Sequence, residues 1–165
     1  MTSRLRAAVG SALLAALAAH AAIYAVIGDS TAALDTAGWL LLLVLFSVET
    51  RWPGHGVPRL LRATRLVATV MVIGAAVAYW RDADWLDAIN SLLWFAVVVV
   101  WELQLRGARR KHRIGLRHAT RALHGALAVM PLAWLAQGAW FDAWDATLWL
   151  AAYAVIEHDV AHHAS

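Results

Sequence analysis

The chain has 165 residues, of which 62% are hydrophobic and 15% are charged, with a net charge of +3 and no cysteine. Soluble domains are about 45–50% apolar and about 25% charged, so this composition predicts a protein that lies in a lipid bilayer. It excludes a disordered chain and a large soluble catalytic domain, and the absence of cysteine excludes disulfides, thiol catalysis and iron–sulfur clusters.

Six apolar runs predict six transmembrane helices. The first run lies between Arg6 and Asp29 and, at about 1.5 Å per residue, is long enough to cross a hydrocarbon core of roughly 30 Å. The others reach that length only if flanking charged and Trp side chains lie at the membrane interface. They cover residues 36–48, 66–80, 88–101, 122–141 and 146–156. Pro131 is expected to kink the fifth helix.

The charged residues alternate in sign between successive connections. If the first segment is cytoplasmic, the inner connections carry 13 of the 14 Lys and Arg residues, and only Arg81 lies outside. The outer connections carry Asp instead. Because cytoplasmic loops of membrane proteins are enriched in Lys and Arg, this pattern predicts a multi-pass inner-membrane protein with both termini in the cytoplasm. The basic stripe 106–121 is then expected to contact anionic lipid headgroups rather than nucleic acid.

A helical hairpin pattern recurs along the chain. Residues 85–103 and 140–158 match at an offset of 55, and residues 34–49 form a weaker copy that is one residue shorter. The pattern predicts an all-α polytopic membrane protein whose six transmembrane helices form three like-oriented helical hairpins, a pseudo-threefold repeat within one membrane domain over 1–165. The repeat units are approximately residues 4–52, 59–105 and 114–160.

Acidic residues mark both ends of the second helix in each predicted hairpin repeat, with an Asp at the outer turn and a Glu at the inner end. Those at the inner ends are Glu49, Glu102 and Glu157. A carboxylate at a helix C-terminus has the unfavourable sign for the helix dipole, so one interpretation is an interfacial ion pair with a neighbouring Arg. The other is an inner ring of carboxylates that forms a cation or proton pathway. Asp35, Asp87 and Asp142 are predicted to cap the outer helix N-termini.

Histidines supply the second candidate site, at the end of the sixth predicted helix. On a helix His158 and His162 share one face, and Asp159 and His163 share the next, which is ligand spacing for Zn or Fe. The segment 158–163 (HDVAHH) resembles one histidine box of the membrane desaturases and hydroxylases, in which clustered His at cytoplasmic helix ends hold a di-iron centre. The alternative interpretation is a polar helix end that binds no metal.

Two further histidines lie within predicted spans. His20 is in the outer half of the first span, and His124 is near the inner end of the fifth. Because their depths differ, they are not expected to hold a single haem together. Each is instead expected to form a hydrogen bond within the helix bundle.

No further sequence motif indicates chemistry: the chain has no Walker loop, dinucleotide fingerprint or nucleophile elbow. One function open to it is a small transporter or channel for an ion or small solute. Another is a non-catalytic accessory or scaffold subunit of a larger membrane complex, and a third is a histidine-box metalloenzyme. The expected partners are lipid together with further copies of the chain or other membrane subunits, without nucleic acid.

Overall fold

The computed structural model describes residues 3–51, 59–105 and 113–163. Every regular element within these residues is an α-helix. The helices are α1 (Ser3–Ile27), α2 (Ser30–Arg51), α3 (Arg59–Arg81), α4 (Trp85–Leu105), α5 (Arg113–Ala136) and α6 (Trp140–His163). The shortest has 21 residues and the longest has 25, so each extends over roughly 30–38 Å. The prediction of six helices is confirmed.

Among the described residues, two helices are long and apolar enough to cross a membrane, namely Ala8–Ile27 within α1 and Arg59–Arg81, which is α3. In each, only 17% of the most apolar window is buried inside the protein. A core helix of a soluble protein would bury most of such a window, whereas these helices direct apolar side chains outward. Ser30–Leu45 and Trp85–Val100 are shorter apolar stretches, so membrane crossing by the remaining helices stays a prediction.

Short turns with a left-handed residue follow α1, α3 and α5. The left-handed residues are Gly28 (φ 90°), Ala83 (φ 58°) and Gly138 (φ 79°). After Gly28 the Asp29 N–H donates to the Tyr24 carbonyl at 3.0 Å, and after Gly138 the Ala139 N–H donates to the Trp134 carbonyl at 3.0 Å. These bonds are typical of a helix that ends in a Schellman motif. Glycine is favoured there because, without a Cβ atom, it adopts a left-handed conformation without a steric clash.

The turns and the helices that follow them recur at a constant interval. The three left-handed residues are 55 positions apart, and α2, α4 and α6 also begin 55 positions apart. For the two later hairpins this interval equals the predicted offset. For the first hairpin it places Asp35 in register with Asn90 and Asp145, which differs by three residues from the predicted pairing of Asp35 with Asp87 and Asp142.

The chain divides into two compact units, and the first comprises Met1–Asp82 and Ala151–Ser165. In this unit α2 packs against both α1 and α3. Its helices bury Leu17, Tyr24, Leu45, Ala68, Val72, Ala75 and Tyr79. Gly38 lies where α2 and α3 approach closely, because a Cβ atom built there would be 2.7 Å from Val72 Cγ2.

The second unit comprises Ala83–Leu150, in which α4 packs against α5. Met130 and Trp134 of α5 and Ala143 of α6 form a buried cluster. Partly buried apolar side chains of α4, of α6 and of the turn before α6 pack against this cluster: Leu86, Leu93, Ala139 and Ala146. The α5 helix continues through Pro131, and the kink predicted there stays a prediction.

Candidate functional site

Asp35 lies inside α2 and does not cap it. The helix begins at Ser30, and its first turn contains no acidic residue. The cap is Asp29, whose Oδ1 accepts a hydrogen bond from the Ala32 N–H at 2.9 Å. The prediction that Asp35 is a cap is therefore wrong. The prediction failed because α2 begins five residues before Asp35. Most of residues 30–34 (STAAL) are small or polar, so hydropathy does not show that they belong to the helix.

The two later carboxylates that sequence reasoning placed at helix N-termini do lie there. Asp87 is in the first turn of α4, and Asp142 is in the first turn of α6. A negative charge in the first turn interacts favourably with the helix dipole. Both residues lie at the predicted helix N-termini, but each is the third residue of its helix and not the capping residue before it, and Asp35 lies still further inside its helix.

Polar side chains of α2 are buried one to two helical turns beyond its start. The Asp35 side chain is half-buried, and its Oδ1 is shielded from solvent and has no hydrogen-bond partner. The indole N–H of Trp39, four residues later, interacts with the Asp35 carboxyl group. The next residue, Thr36, is buried. Burying an oxygen that has no hydrogen-bond partner is costly. A ligand or a proton that binds the Asp35 oxygen removes this cost, so the oxygen is a candidate binding group.

His20 of α1 lies at a similar height to these residues. It is 6% exposed, and its ring contacts the Tyr24 ring edge-to-face with centroids 6.4 Å apart. Since α1 packs on α2 and a two-residue turn joins them, equal helical rise brings His20 roughly level with Ala37. We call His20, Asp35, Thr36 and Trp39 the first-unit polar layer.

The second unit buries a comparable set of groups on α4 and α6. Ser91 is 1% exposed, and its hydroxyl oxygen has no hydrogen-bond partner. The rings of Trp94 and Trp149 contact each other edge-to-face at a centroid distance of 6.1 Å. Asn90 precedes Trp94 by four residues, and Asp145, whose Oδ1 is shielded from solvent, precedes Trp149 by four.

Residues four apart on a helix lie on one face, so the tryptophan contact also fixes the heights of Asn90 and Asp145. Each lies one helical turn from its tryptophan, toward the start of its own helix. The cluster that joins Leu86 of α4 to Ala139, just before α6, and to Ala143 of α6 shows that both helices begin at the same end of this unit. We call Asn90, Ser91, Trp94, Asp145 and Trp149 the second-unit polar layer.

The three glutamates predicted from the sequence are only partly described. The backbones of Glu49, Glu102 and Glu157 lie in α2, α4 and α6, but their side chains lie outside the described residues. The structure therefore does not test whether they form an ion pathway or surface ion pairs, and both interpretations stay predictions.

The metal site predicted at the end of α6 is also untested by the structure. The side chains of His158, Asp159, His162 and His163 lie outside the described residues. Among the side chains that are described, no group of three or more His, Asp or Glu could hold a metal ion. Within α5, His124 Nδ1 bonds to the Thr120 carbonyl oxygen at 2.7 Å, which confirms the hydrogen bond expected for this residue.

Sequence reasoning missed both polar layers, although one signal for them is visible in the sequence. An Asp or Asn is followed four residues later by Trp at 35/39, at 90/94 and at 145/149, with a constant offset of 55. Recognising the first of these pairs requires the start of α2 to be known. Comparison of the chain with protein-family models, curated proteins and solved structures gives no match.

Proposed function

We propose that the protein is a six-span inner-membrane transporter or channel for a small cation, and that Asp35 lies on its pathway. The observation that supports this function is the shielded Oδ1 of Asp35, which has no hydrogen-bond partner inside a helix that packs against outward-facing apolar helices. Ionisable side chains at membrane depth are costly to keep there, and they usually mark ion or proton pathways.

Exposed tryptophans support a bilayer around the helices. Trp80, Trp85, Trp140 and Trp144 are each more than half exposed, and all lie within a few residues of the turns after α3 and α5. Tryptophan collects where the hydrocarbon meets water because its ring is apolar and its N–H is polar. These residues therefore indicate a membrane interface at the level of the turns.

The depth of Asp35 follows from helix geometry. Asp35 comes five residues after Ser30, which is about 8 Å along the helix axis from its start. With the turns at the interface, the carboxyl group lies below the headgroups, within the outer part of the hydrocarbon region. A cation or proton that enters from the outer side reaches this group after about one and a half helical turns.

The distribution of Lys and Arg supports the orientation with both ends in the cytoplasm, and the cysteine-free chain makes it testable. We expect a membrane-impermeant maleimide to label Ser30→Cys and Gln137→Cys in intact cells. Ser3→Cys should be labelled only after the membrane is opened. Labelling of all three in intact cells, or of none until lysis, would contradict six alternating spans.

Transport is tested with the purified full chain in liposomes that contain a cation- or pH-sensitive dye. We expect flux of K⁺, Na⁺ or protons with the wild type and at least about a tenfold decrease with Asp35→Asn, because a neutral amide removes the charge that attracts a cation. Asp82→Asn, in the exposed turn after α3, is the matched control and should leave flux unchanged.

Each outcome of this assay has a definite meaning. Absence of wild-type flux for all three cations contradicts the transport function. Wild-type flux that persists in Asp35→Asn contradicts the role of this residue. The inner carboxylate pathway has a separate test, because simultaneous replacement of Glu49, Glu102 and Glu157 by Gln should reduce flux if that pathway exists.

An accessory subunit of a larger membrane complex is the second candidate function. The observation that favours it is the outward-facing apolar surface of α1 and α3, which suits a partner protein as well as lipid. Native mass in mild detergent separates the two functions. Comigration with other polypeptides supports the subunit, whereas a homo-oligomer or monomer supports the transporter.

A further inference from the structure

The α3 helix has a buried face and an outward face. The buried face packs against α2 and carries Ala68, Val72, Ala75 and Tyr79. On the opposite side, Leu66, Val70 and Ile73 follow one another at intervals of four and three residues, which places them in one line along the helix. Each is between 49% and 66% exposed, so no described part of the chain packs over this outward line.

Two arginines continue the outward line to the start of α3. Arg62 comes four residues before Leu66, and Arg59 comes three residues before Arg62, so both lie on the outward face. Both side chains are exposed. In the proposed orientation the start of α3 lies at the inner membrane surface. The line therefore joins two positive charges at the level of the headgroups to apolar side chains in the hydrocarbon.

The charge at this end of the first unit is positive. Residues 52–81 contain four Arg and no Asp or Glu, and one of these arginines, Arg65, is exposed on the flank of the outward line. The helix ends that the proposed orientation places on the same side in this unit are residues 1–7, 49–65 and 157–165, and together they contain six Arg against three acidic residues. The inner end of the line therefore attracts an anion.

We infer that the inner half of the outward line binds an anionic phospholipid. Arg59 and Arg62 hold its phosphate, because guanidinium groups bind phosphate oxygens through paired N–H groups. One acyl chain lies along the three apolar residues of the line. From Arg62 to Ile73 the helix rises about 17 Å, close to the roughly 15 Å hydrocarbon thickness of one leaflet. The site rests on the proposed insertion of α3 into a bilayer, does not depend on transport, and lies outside the basic stripe 106–121.

The side chains of the outward line favour a lipid over a partner helix. Helices that pack together in a membrane approach closely through small residues, and α3 approaches α2 in this way. A Cβ atom at Gly38 would be 3.2 Å from the Ala68 carbonyl oxygen. The outward line consists instead of Leu, Val and Ile, whose branched side chains keep another helix at a distance and suit flexible acyl chains.

The cysteine-free chain allows the lipid beside this line to be identified. The full chain with Val70→Cys is labelled with a fluorescent maleimide and placed in bilayers that contain phosphatidylglycerol or phosphatidylcholine with a nitroxide quencher on the acyl chain. We expect both lipids to quench the label, with association at least about fivefold stronger for phosphatidylglycerol, which is roughly the effect of one arginine near an anionic lipid. Arg59→Gln combined with Arg62→Gln should reduce this preference to less than about twofold.

Arg81→Gln combined with Arg121→Gln is the matched control, because it removes the same charge from the protein. Both residues are exposed, Arg81 at the outer end of α3 and Arg121 in the second unit. This variant should keep the preference that the label reports at position 70. Circular dichroism and gel-filtration volume identify any variant that fails to fold, in which case the single variants Arg59→Gln and Arg62→Gln decide the result, since each should lower the preference in part.

A second arm separates a lipid headgroup from a free phosphate. Excess inorganic phosphate should leave the preference for phosphatidylglycerol as chloride of the same ionic strength leaves it, because inorganic phosphate has no acyl chain to lie along α3. Loss of the preference in phosphate but not in chloride would show that the arginines bind a free anion, and it would overturn the lipid site.

The outcomes that overturn this inference differ from those that overturn transport. Equal quenching by the two lipids, or an unchanged preference after Arg59→Gln with Arg62→Gln, overturns the site. Absence of quenching by either lipid also overturns it, because the face is then covered by another copy of the chain or lies outside the bilayer. A wild type that prefers phosphatidylglycerol but moves no cation contradicts transport alone, and one that moves cations without this preference contradicts the lipid site alone.

Discussion

Replacing Gly38 with alanine tests the close packing of α2 against α3. The new Cβ atom would meet Val72 Cγ2 at 2.7 Å, and it would lie 3.2 Å from both the Ala68 carbonyl oxygen and Met71 Cβ. The first distance is about 1 Å shorter than a normal contact between carbon atoms. Val72 is fully buried and branched at Cβ, so rotation of its methyl group away from the contact is restricted.

The expected magnitude follows from two opposing effects. Overpacking of a well-packed contact costs about 1–3 kcal/mol, and alanine in place of glycine within a helix stabilises by about 1 kcal/mol. Because one of the close neighbours is a backbone oxygen, relief requires the helices to separate, which favours the upper part of the range. We therefore expect Gly38→Ala to lower the free energy of unfolding by about 1–2 kcal/mol.

Unfolding by SDS of the detergent-purified protein, followed by circular dichroism, measures this loss. Gly74→Ala is the matched control, because α3 leaves open space around Gly74 and only the gain in helix propensity should appear. In a Val72→Ala background the cost of Gly38→Ala should decrease, since the clashing methyl group is absent. If Gly38→Ala stabilises the protein as much as Gly74→Ala does, the close contact between α2 and α3 is refuted.

Two further predictions concern the turns and the outward-facing surface. Ala83→Gly should stabilise the protein by about 0.5–1 kcal/mol, because it removes the Cβ strain of a left-handed residue, whereas Gly138→Ala should destabilise it by about 1 kcal/mol. SDS unfolding checks both, and a shift of the two variants in the same direction contradicts the turn geometry. Val70→Arg, at the exposed midpoint of α3, should reduce the carbonate-resistant membrane fraction, because arginine at a helix centre costs about 3 kcal/mol on insertion. Leu60→Arg, exposed near the start of α3, should be tolerated, and equal tolerance of both would show that α3 does not cross a bilayer.

The helices could be predicted from the sequence because hydropathy and charge change sharply near their ends. Arg59 and Arg81 bound α3, and Gly28 and Gly138 mark where α1 and α5 have ended. The start of α2 could not be predicted in this way. Its first residues are small or polar, so the apolar run that signals a span begins several residues inside the helix.

The polar layers were harder to predict than the helices for a different physical reason. Whether Asn90 or Ser91 is buried depends on which neighbouring helix covers that face, and this information is not local in the sequence. Apolar residues are spread over all faces of α6, so its buried side cannot be identified from periodicity. The contact between Trp94 and Trp149 and the cluster around Ala143 show which faces of α4 and α6 meet.

The brevity of the turns has a consequence for how the chain enters a bilayer. Two or three residues connect α1 to α2, α3 to α4, and α5 to α6. A linker of this length extends over roughly 10 Å, which is far less than the thickness of the hydrocarbon core. The second helix of a pair therefore cannot remain in the cytoplasm once the first is fully inserted. Biogenesis of the proposed six-span protein therefore requires insertion of helices two at a time. Slowing translation within α2, α4 or α6 should disturb insertion more than slowing it between the pairs.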